Sequence, residues 1–335
     1  MRSSIIAAVT VTITLSVGTT SPALATTRGT DLGTLPGGTV SWAYGINDLG
    51  TVVGFSNSAN GKNHAVRWNR RGAVTDLGTL PGDDESTAYT SNTSGVVVGR
   101  SFVAGQNQRA VRWDRSGRAT ELSGLPGATI NRAYAINQHG TAVGFSVTDG
   151  RLNALRWSPD GEITRLLPLP GDVASGAGWI NTHHTAVGIS MVADGETHAV
   201  RWSPGAKVTA LGALPGHHWS KAFCVNDNGV AVGSSAVTAE SAPHAVRWNP
   251  DGTITPLAPL PGDIGGAAYG VNDNGWVIGY STTPVGISRA VRWSPRGVVT
   301  ELGGSPSEAF AIAGNGAVVG FSAGSGATRA TLWTD

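Results

Sequence analysis

"HAVRWN", residues 64–69, returns as "RAVRWD" (109–114), "NALRWS" (153–158), "HAVRWS" (198–203), "HAVRWN" (244–249), "RAVRWS" (289–294) and, in degenerate form, "RATLWT" (329–334). The tryptophans of this phrase, Trp68, Trp113, Trp157, Trp202, Trp248, Trp293 and Trp333, lie 45, 44, 45, 46, 45 and 40 residues apart. A period of about 45 residues suits a four-stranded propeller blade. Long 3.6-residue apolar patterns are missing from these units and glycine punctuates them throughout, which argues against helical repeats.

Outward from the phrase, each unit reads as four short strands. The first is "SWAYGIN" (41–47), echoed by "NRAYAIN", "SKAFCVN" and "GAAYGVN". It ends in Asx-Gly turns such as "NDLG", whose residues tolerate positive φ. The second is "TVVGFS" (51–56), the third is the opening phrase, and the fourth is "AVTDLG" (73–78), reached through turns such as "NPDG". A meander of this kind cannot bury both of its faces alone, so neighbours must stack, and radial stacking gives a propeller. After "RATLWTD" no fourth strand follows, whereas "RGTDLGTLPG" (28–37) matches "AVTDLGTLPG" (73–82). The expected fold is therefore all-β: a seven-bladed β-propeller with four antiparallel strands per blade, the ring closed by the N-terminal strand pairing with the last blade.

The motifs T-D-L-G-T-L-P-G, A-Y-G-I-N-x-x-G, V-V-G-x-S and H-A-V-R-W together resemble the HAF-type extracellular repeat family of bacteria, across residues 28–335. Here His-Ala-Val stands at His64, His198 and His244 in place of His-Ala-Phe. The resemblance implies an exported repeat protein and no particular reaction.

Composition bounds the rest. Residues 1–25 read as a secretory signal peptide, with Arg2, an apolar stretch from Ile5 to Val17 and a small-x-small site at Ala23-Leu24-Ala25. Residues 26–335 then form one propeller domain, expected to be secreted, extracellular and monomeric. No later apolar run reaches the roughly 18 residues of a membrane span, so no membrane insertion is expected. A net charge of +1 without a basic run argues against a nucleic-acid partner. Charged residues are 13% of the chain and glycines number 48, the balance of a turn-rich β protein. The single Cys224 precludes an internal disulfide and sits in a column of small residues, which marks it as core.

The repeated columns read mainly as scaffold. Val-Gly-x-Ser suits inner strands where blades approach, and the Trp column suits the wedge between blades. Alternation turns Arg67, Arg112, Arg156, Arg201, Arg247 and Arg292 to the opposite side, toward carbonyls of the adjoining blade. Fourth-strand acids recur only as Asp31, Asp76, Glu121 and Glu301, too few to pair with every one of these arginines. The Asn column (Asn47, Asn92, Asn137, Asn181, Asn226, Asn272) fits turn chemistry better than calcium, since the alternate acids of a calcium loop are missing.

Function is expected where the repeats disagree, in the loops that follow each Leu-Pro or Ser-Pro corner. These loops supply the candidate ligand-binding set Trp42, Asp83, Asp84, Glu85, Arg132, Asp172, His217, His218, Trp219, Lys221 and Asp263, together with Glu308, expected to ring the mouth of a central channel. His198, His217, His218 and His244 come from neighbouring units, but strand three lies far from the axis, so no metal site is assigned. Neither a catalytic residue nor a cofactor is indicated. Two classes of function remain. One is a binding or interaction module for a glycan or protein at the variable-loop rim, with Trp42 and Trp219 as stacking surfaces. The other is a secreted hydrolase or lyase acting on a glycan or peptide, resting on the acidic loop Asp83-Asp84-Glu85.

Overall fold

The computed structural model describes residues 29–323 and 327–334, and every regular element in them is a β-strand. The signal-peptide segment lies outside the described residues. In the first unit the strands Ser41–Ile46, Val52–Asn57, Asn63–Trp68 and Val74–Asp76 pair in sequence order, all antiparallel. The same four-strand order recurs over residues 85–122, 130–166, 174–210, 219–256 and 265–301. One parallel bridge, Ile130 to Gln108, joins the second and third of these sheets. The seventh unit supplies Ser307–Ile312, Val318–Ala323 and Thr328–Trp333, and its fourth place is taken by Thr30–Asp31, with Thr30 opposite Leu332 and Asp31 opposite Thr331.

All seven tryptophans of the repeated phrase are at most 1% exposed. Each packs between its own sheet and the preceding one. Trp113 lies against Val53, Ala65 and Leu77 of the first unit, and Trp68 lies against Ala311, Val319 and Ala330 of the seventh. The indole N–H of Trp157, Trp202 and Trp293 donates to carbonyls of the preceding unit, at Ser123 (2.8 Å), Leu167 (2.7 Å) and Ala258 (2.6 Å). Burial on this scale makes the Trp column the main apolar contribution to sheet stacking.

Polar bonds repeat with the same period. The backbone N–H of Ala65 donates to Ser86 Oγ in the next unit, Ala199 to Ser220, and Ala290 to Ser307; Ala330 donates in the same way to Ser41 of the first unit (3.1 Å). The Asn column does two jobs. Asn137 Oδ1 accepts from the backbone of His139 and Thr141 within its own turn, while Nδ2 donates 3.1 Å to the Asn181 carbonyl next door. Side-chain amides of Asn47, Asn92, Asn181, Asn226 and Asn272 donate onward likewise, a belt that sequence reading reduced to turn chemistry. The arginines behave as read: Arg112, Arg156, Arg201 and Arg247 donate to carbonyls of the following unit, among them Gly140, His184, Gly229 and Pro295.

Two expectations need correction. The glycine of Val-Gly-x-Ser answers to a contact inside its own sheet, because a Cβ on Gly54 would overlap the carbonyl oxygen of Trp42 on the first strand. The fourth-strand acids pair with the first residue of the repeated phrase: Asp76 with His64 (2.7 Å), Glu121 with Arg109 (3.3 Å), Glu301 with Arg289 (3.5 Å) and Asp31 with Arg329 (3.6 Å). Acid and base are near-neighbours across the third and fourth strands, on the Trp side of the sheet, as the pairing of Asp76 with Val66 requires. The Arg before Trp points to the other face and bonds the following unit instead.

Candidate functional site

Every first strand carries a β-bulge at one place, where the register slips between Ala43 and Gly45, Ala88 and Thr90, Ala133 and Ala135, Ala177 and Trp179, Ala222 and Cys224, Ala268 and Gly270, and Ala309 and Ala311. A bulge leaves one residue unpaired and re-aims its side chain. The unpaired residues are Tyr44, Tyr89, Tyr134, Gly178, Phe223, Tyr269 and Phe310. Neighbouring first strands touch, and so do those of the first and seventh units. The bulged rings therefore meet: Phe223 to Tyr269 at 5.3 Å, Tyr269 to Phe310 at 5.6 Å, Phe310 to Tyr44 at 5.4 Å, Tyr44 to Tyr89 at 5.5 Å and Tyr89 to Tyr134 at 4.8 Å. This aromatic collar breaks at Gly178. Burial pushes the Tyr44 hydroxyl up to about 12, and it raises Tyr89 and Tyr269 as well, so all three are neutral phenols at pH 7.

Two residues nearer the variable-loop rim, the same face presents Trp42, Thr87, Arg132, Gly176, Lys221, Ala267 and Glu308, opposite Phe55, Arg100, Phe145, Ile189, Ser234, Tyr280 and Phe321 on the second strands. This level is lopsided. Trp42 stacks on Phe321 at 4.5 Å and touches Phe55, Tyr44 and Phe310 at 6.0 Å each, filling the side of units one and seven. Small residues, Gly176, Ser234 and Ala267, leave room on the side of units four to six. Two cavities open there. One of 440 Å³ is bounded by Tyr134, Phe145, Leu152, Ile189 and Phe223; one of 280 Å³ is bounded by Trp219, Phe223, Thr238, Ser241, Tyr269 and Tyr280. Lys221 and Phe223 belong to both.

Charge at this level is mostly positive. Arg100 and Arg132 both donate to Gln108 Oε1, at 3.1 and 2.8 Å, and Arg132 also reaches the Tyr134 hydroxyl at 3.3 Å. Lys221 is exposed. Glu308 is the acidic member; desolvation raises its carboxyl above the usual range, opposed by a bond to Ser288.

The sequence-derived set divides accordingly. Trp42, Arg132, Lys221 and Glu308 stand at this mouth, with Trp219 beside Lys221 in the smaller cavity. The others do not, because the residue after each Pro-Gly corner is held outward over the second and third strands. Asp83 binds Arg109 at 2.9 Å, Asp263 binds Arg289 at 2.6 Å, and Asp172 meets His198 at 3.1 Å; their carboxylates are 8%, 2% and 6% exposed, which makes them repeated staples. Asp84 and Glu85 face Lys62, at 3.0 and 3.8 Å. The acidic loop is thus engaged in ion pairs at the periphery. His217 meets Ser235 Oγ at 3.0 Å and the edge of His244 at 5.3 Å, while His218 is exposed. Among the described residues no three His, Cys, Asp or Glu side chains converge as metal ligands. Cys224 is 3% exposed, with its thiol pushed up to about 12 by burial.

Missed by sequence reading were the collar, Glu308's setting and the cavity walls Phe145 and Ile189. The signal was present as an aromatic column in "SWAYGIN" and its echoes, broken only by "SGAGWIN" (175–181), where the aromatic moves one place to Trp179.

No protein-family model matches this sequence, and no curated protein does. Among solved structures the fold is similar to virginiamycin B lyase from Staphylococcus aureus, at 15% identity and TM-score 0.59 over 88% of this chain and 95% of that one. It is similar to a streptogramin B lyase at 14% identity and TM-score 0.55, over 88% and 93%. It also matches TolB from Acinetobacter baumannii at 12% identity and TM-score 0.50, over 76% of this chain and 64% of TolB, less than two thirds of that protein. These are β-propeller proteins. The likeness places this chain in the same fold class and, at such identities, carries the fold alone.

Proposed function

We propose that the chain is a secreted, monomeric binding module: a seven-bladed propeller closed by Thr30–Asp31, which takes a glycan or protein ligand at the variable-loop mouth. Closure is supported by contacts of the seventh unit with the first that repeat those between consecutive units, such as Ala330 N–H to Ser41 Oγ. The observation that carries the binding reading is the lopsided mouth. The units agree wherever sheets pack, yet on one side of the mouth they depart from the repeat and leave space edged by Trp219, Lys221 and Tyr280. Half-buried aromatic rings beside a cation suit ligand stacking.

A second reading, a hydrolase or lyase on a glycan or peptide, loses the acidic loop and gains Glu308. Burial that raises a carboxyl's pKa is the setting a general acid requires. The lyase names of two structural neighbours belong to those proteins.

A glycan and cell-wall polysaccharide binding screen with protein starting at residue 26 tests the proposal. Binding by the wild type that is weakened at least about tenfold by Trp219→Ala, as expected for an anchor, supports it. Binding that survives this change but is abolished by substitutions on the Asn-Gly turn rim overturns the face assignment. Turnover of a bound glycan that stops in Glu308→Gln favours the second reading.

A further inference from the structure

The break in the aromatic collar has a definite shape. In six units the bulged residue of the first strand is Tyr or Phe, and in the fourth it is Gly178, with a second glycine, Gly176, two residues before it. The atoms nearest to a Cβ on Gly178 would be the carbonyl oxygens of Phe223, Ala222 and Val187, at 3.6, 3.7 and 3.9 Å, which is ordinary contact. Packing therefore does not demand glycine there. The unit's aromatic, Trp179, sits one residue on and turns to the Asn-belt side, where it lines the cavity of the opposite mouth. What remains is the 440 Å³ space between Tyr134 and Phe223, walled also by Phe145, Leu152 and Ile189.

The charge near this space is cationic. Lys221 lines it and no carboxylate does, while Arg132 stands behind the Phe145 wall, its guanidinium 5.8 Å from that ring. Arg132 is held in place by Gln108 and the Tyr134 hydroxyl. Lys221 has no ion-pair partner among the described residues. An apolar slot where one ring of the collar is missing, with an exposed ammonium at its edge, fits a ring that carries an anion.

We propose that this gap binds a small molecule consisting of an aromatic or alicyclic ring joined through a short linker to a carboxylate or similar anion. The ring takes the place of the absent seventh aromatic between Tyr134 and Phe223, and the anion pairs with Lys221, with Arg132 adding to the field. The proposal rests on the reading of this face as the binding face and names the chemistry it selects.

The test uses 3-phenylpropionate as probe, with neutral 3-phenylpropanol and ring-free propionate as comparators, measured by ligand-observed NMR and calorimetry on protein starting at residue 26. A ligand of this size is expected to reach a dissociation constant of about 1 mM. Phenylpropionate should bind about tenfold more tightly than either comparator at low salt. Lys221→Met should remove its advantage over the alcohol and leave the alcohol's own affinity unchanged. Gly178→Phe, which restores the ring found in the other units, should abolish binding of both ring-bearing probes while the melting temperature stays close to wild type. Should that variant misfold, Ile189→Phe fills the slot from the second strand, at a position where Phe55, Phe145 and Phe321 stand in other units. Equal affinity for all three probes, undiminished phenylpropionate binding in a folded slot-filling variant, or no binding at about 10 mM, ten times the expected constant, overturns the proposal. A glycan bound by wild type and by Gly178→Phe alike leaves the binding-module reading standing, and the probe result then decides the slot by itself.

Discussion

Replacing Asn137 by Asp separates the two jobs of the Asn column. Aspartate serves an Asx turn as well as asparagine does, and the protein contains an example: Asp114 Oδ1 accepts from the backbone of Arg118 at 2.9 Å in an exposed turn. If the column exists only for its turns, Asn137→Asp is nearly neutral. In the structure, however, Asn137 is 4% exposed and its Nδ2 donates to the Asn181 carbonyl across the sheet boundary. The change removes a buried bond worth about 1 kcal/mol and points a carboxylate at a carbonyl oxygen in a desolvated site, for a combined cost of about 2–4 kcal/mol at neutral pH. For a chain of this size that is a melting temperature lower by about 4–8 °C. Desolvation raises the folded-state pKa of the new carboxyl above the unfolded value of about 3.9. The native state then binds the extra proton, so the loss should be largest above the folded pKa and shrink as pH falls through it. Asn69→Asp is the control, because Asn69 Oδ1 accepts from Arg71 and Ala73 in an exposed turn; it should change stability by less than about 0.5 kcal/mol. Calorimetric melts of both variants at pH 5 and pH 7.5 decide the matter. Equal stability of the two at pH 7.5 would refute the belt.

Trp157→Ala should cost about 3–5 kcal/mol in urea unfolding, since the ring is fully buried and its N–H satisfies the Ser123 carbonyl; an unchanged midpoint would show that the column is not core. Protein starting at Gly38 lacks Thr30–Asp31 and the buried Leu32 and Leu35, so it should melt earlier and aggregate more than protein starting at residue 26; equal melting temperatures would remove the support for closure. Asp263→Ala leaves Arg289 without its main partner and should lower stability by about 2–4 kcal/mol without altering ligand affinity at the mouth, as titrations on the folded variant will show. Burial lowers the His198 pKa, but bonds to Asp172 and Glu196 outweigh it and hold the imidazole above its ordinary value. Its stabilising effect should be fully present below about pH 6.5 and fade as pH rises through the folded pKa, a pH dependence that His198→Gln should remove in denaturant titrations.

Much of the scaffold was legible because it is periodic. A side chain that packs one sheet on the next must recur whenever the sheets recur, so Trp68 and its six equivalents announced strand, burial and unit length together. The fourth-strand sequence at residues 28–37 announced in the same way its pairing beside Thr328–Trp333. Periodicity cannot say where an equivalent position lies relative to the centre. The corner acids Asp83, Asp172 and Asp263 looked like varied loop residues and proved to be outward staples, because the Ser of Val-Gly-x-Ser and the base of the third strand hold the corner from outside. Asn137 was read from its own turn, since its second partner lies 44 residues away at Asn181. The candidate site was the least legible part. It depends on a bulge that turns one residue of each first strand inward, and on the absence of a side chain at Gly178. Backbone register fixes the bulge, and register follows from how strands pair in three dimensions. A missing ring becomes a cavity only when the rings beside it, Tyr134 and Phe223, have been set on either side of it by the packing of separate sheets.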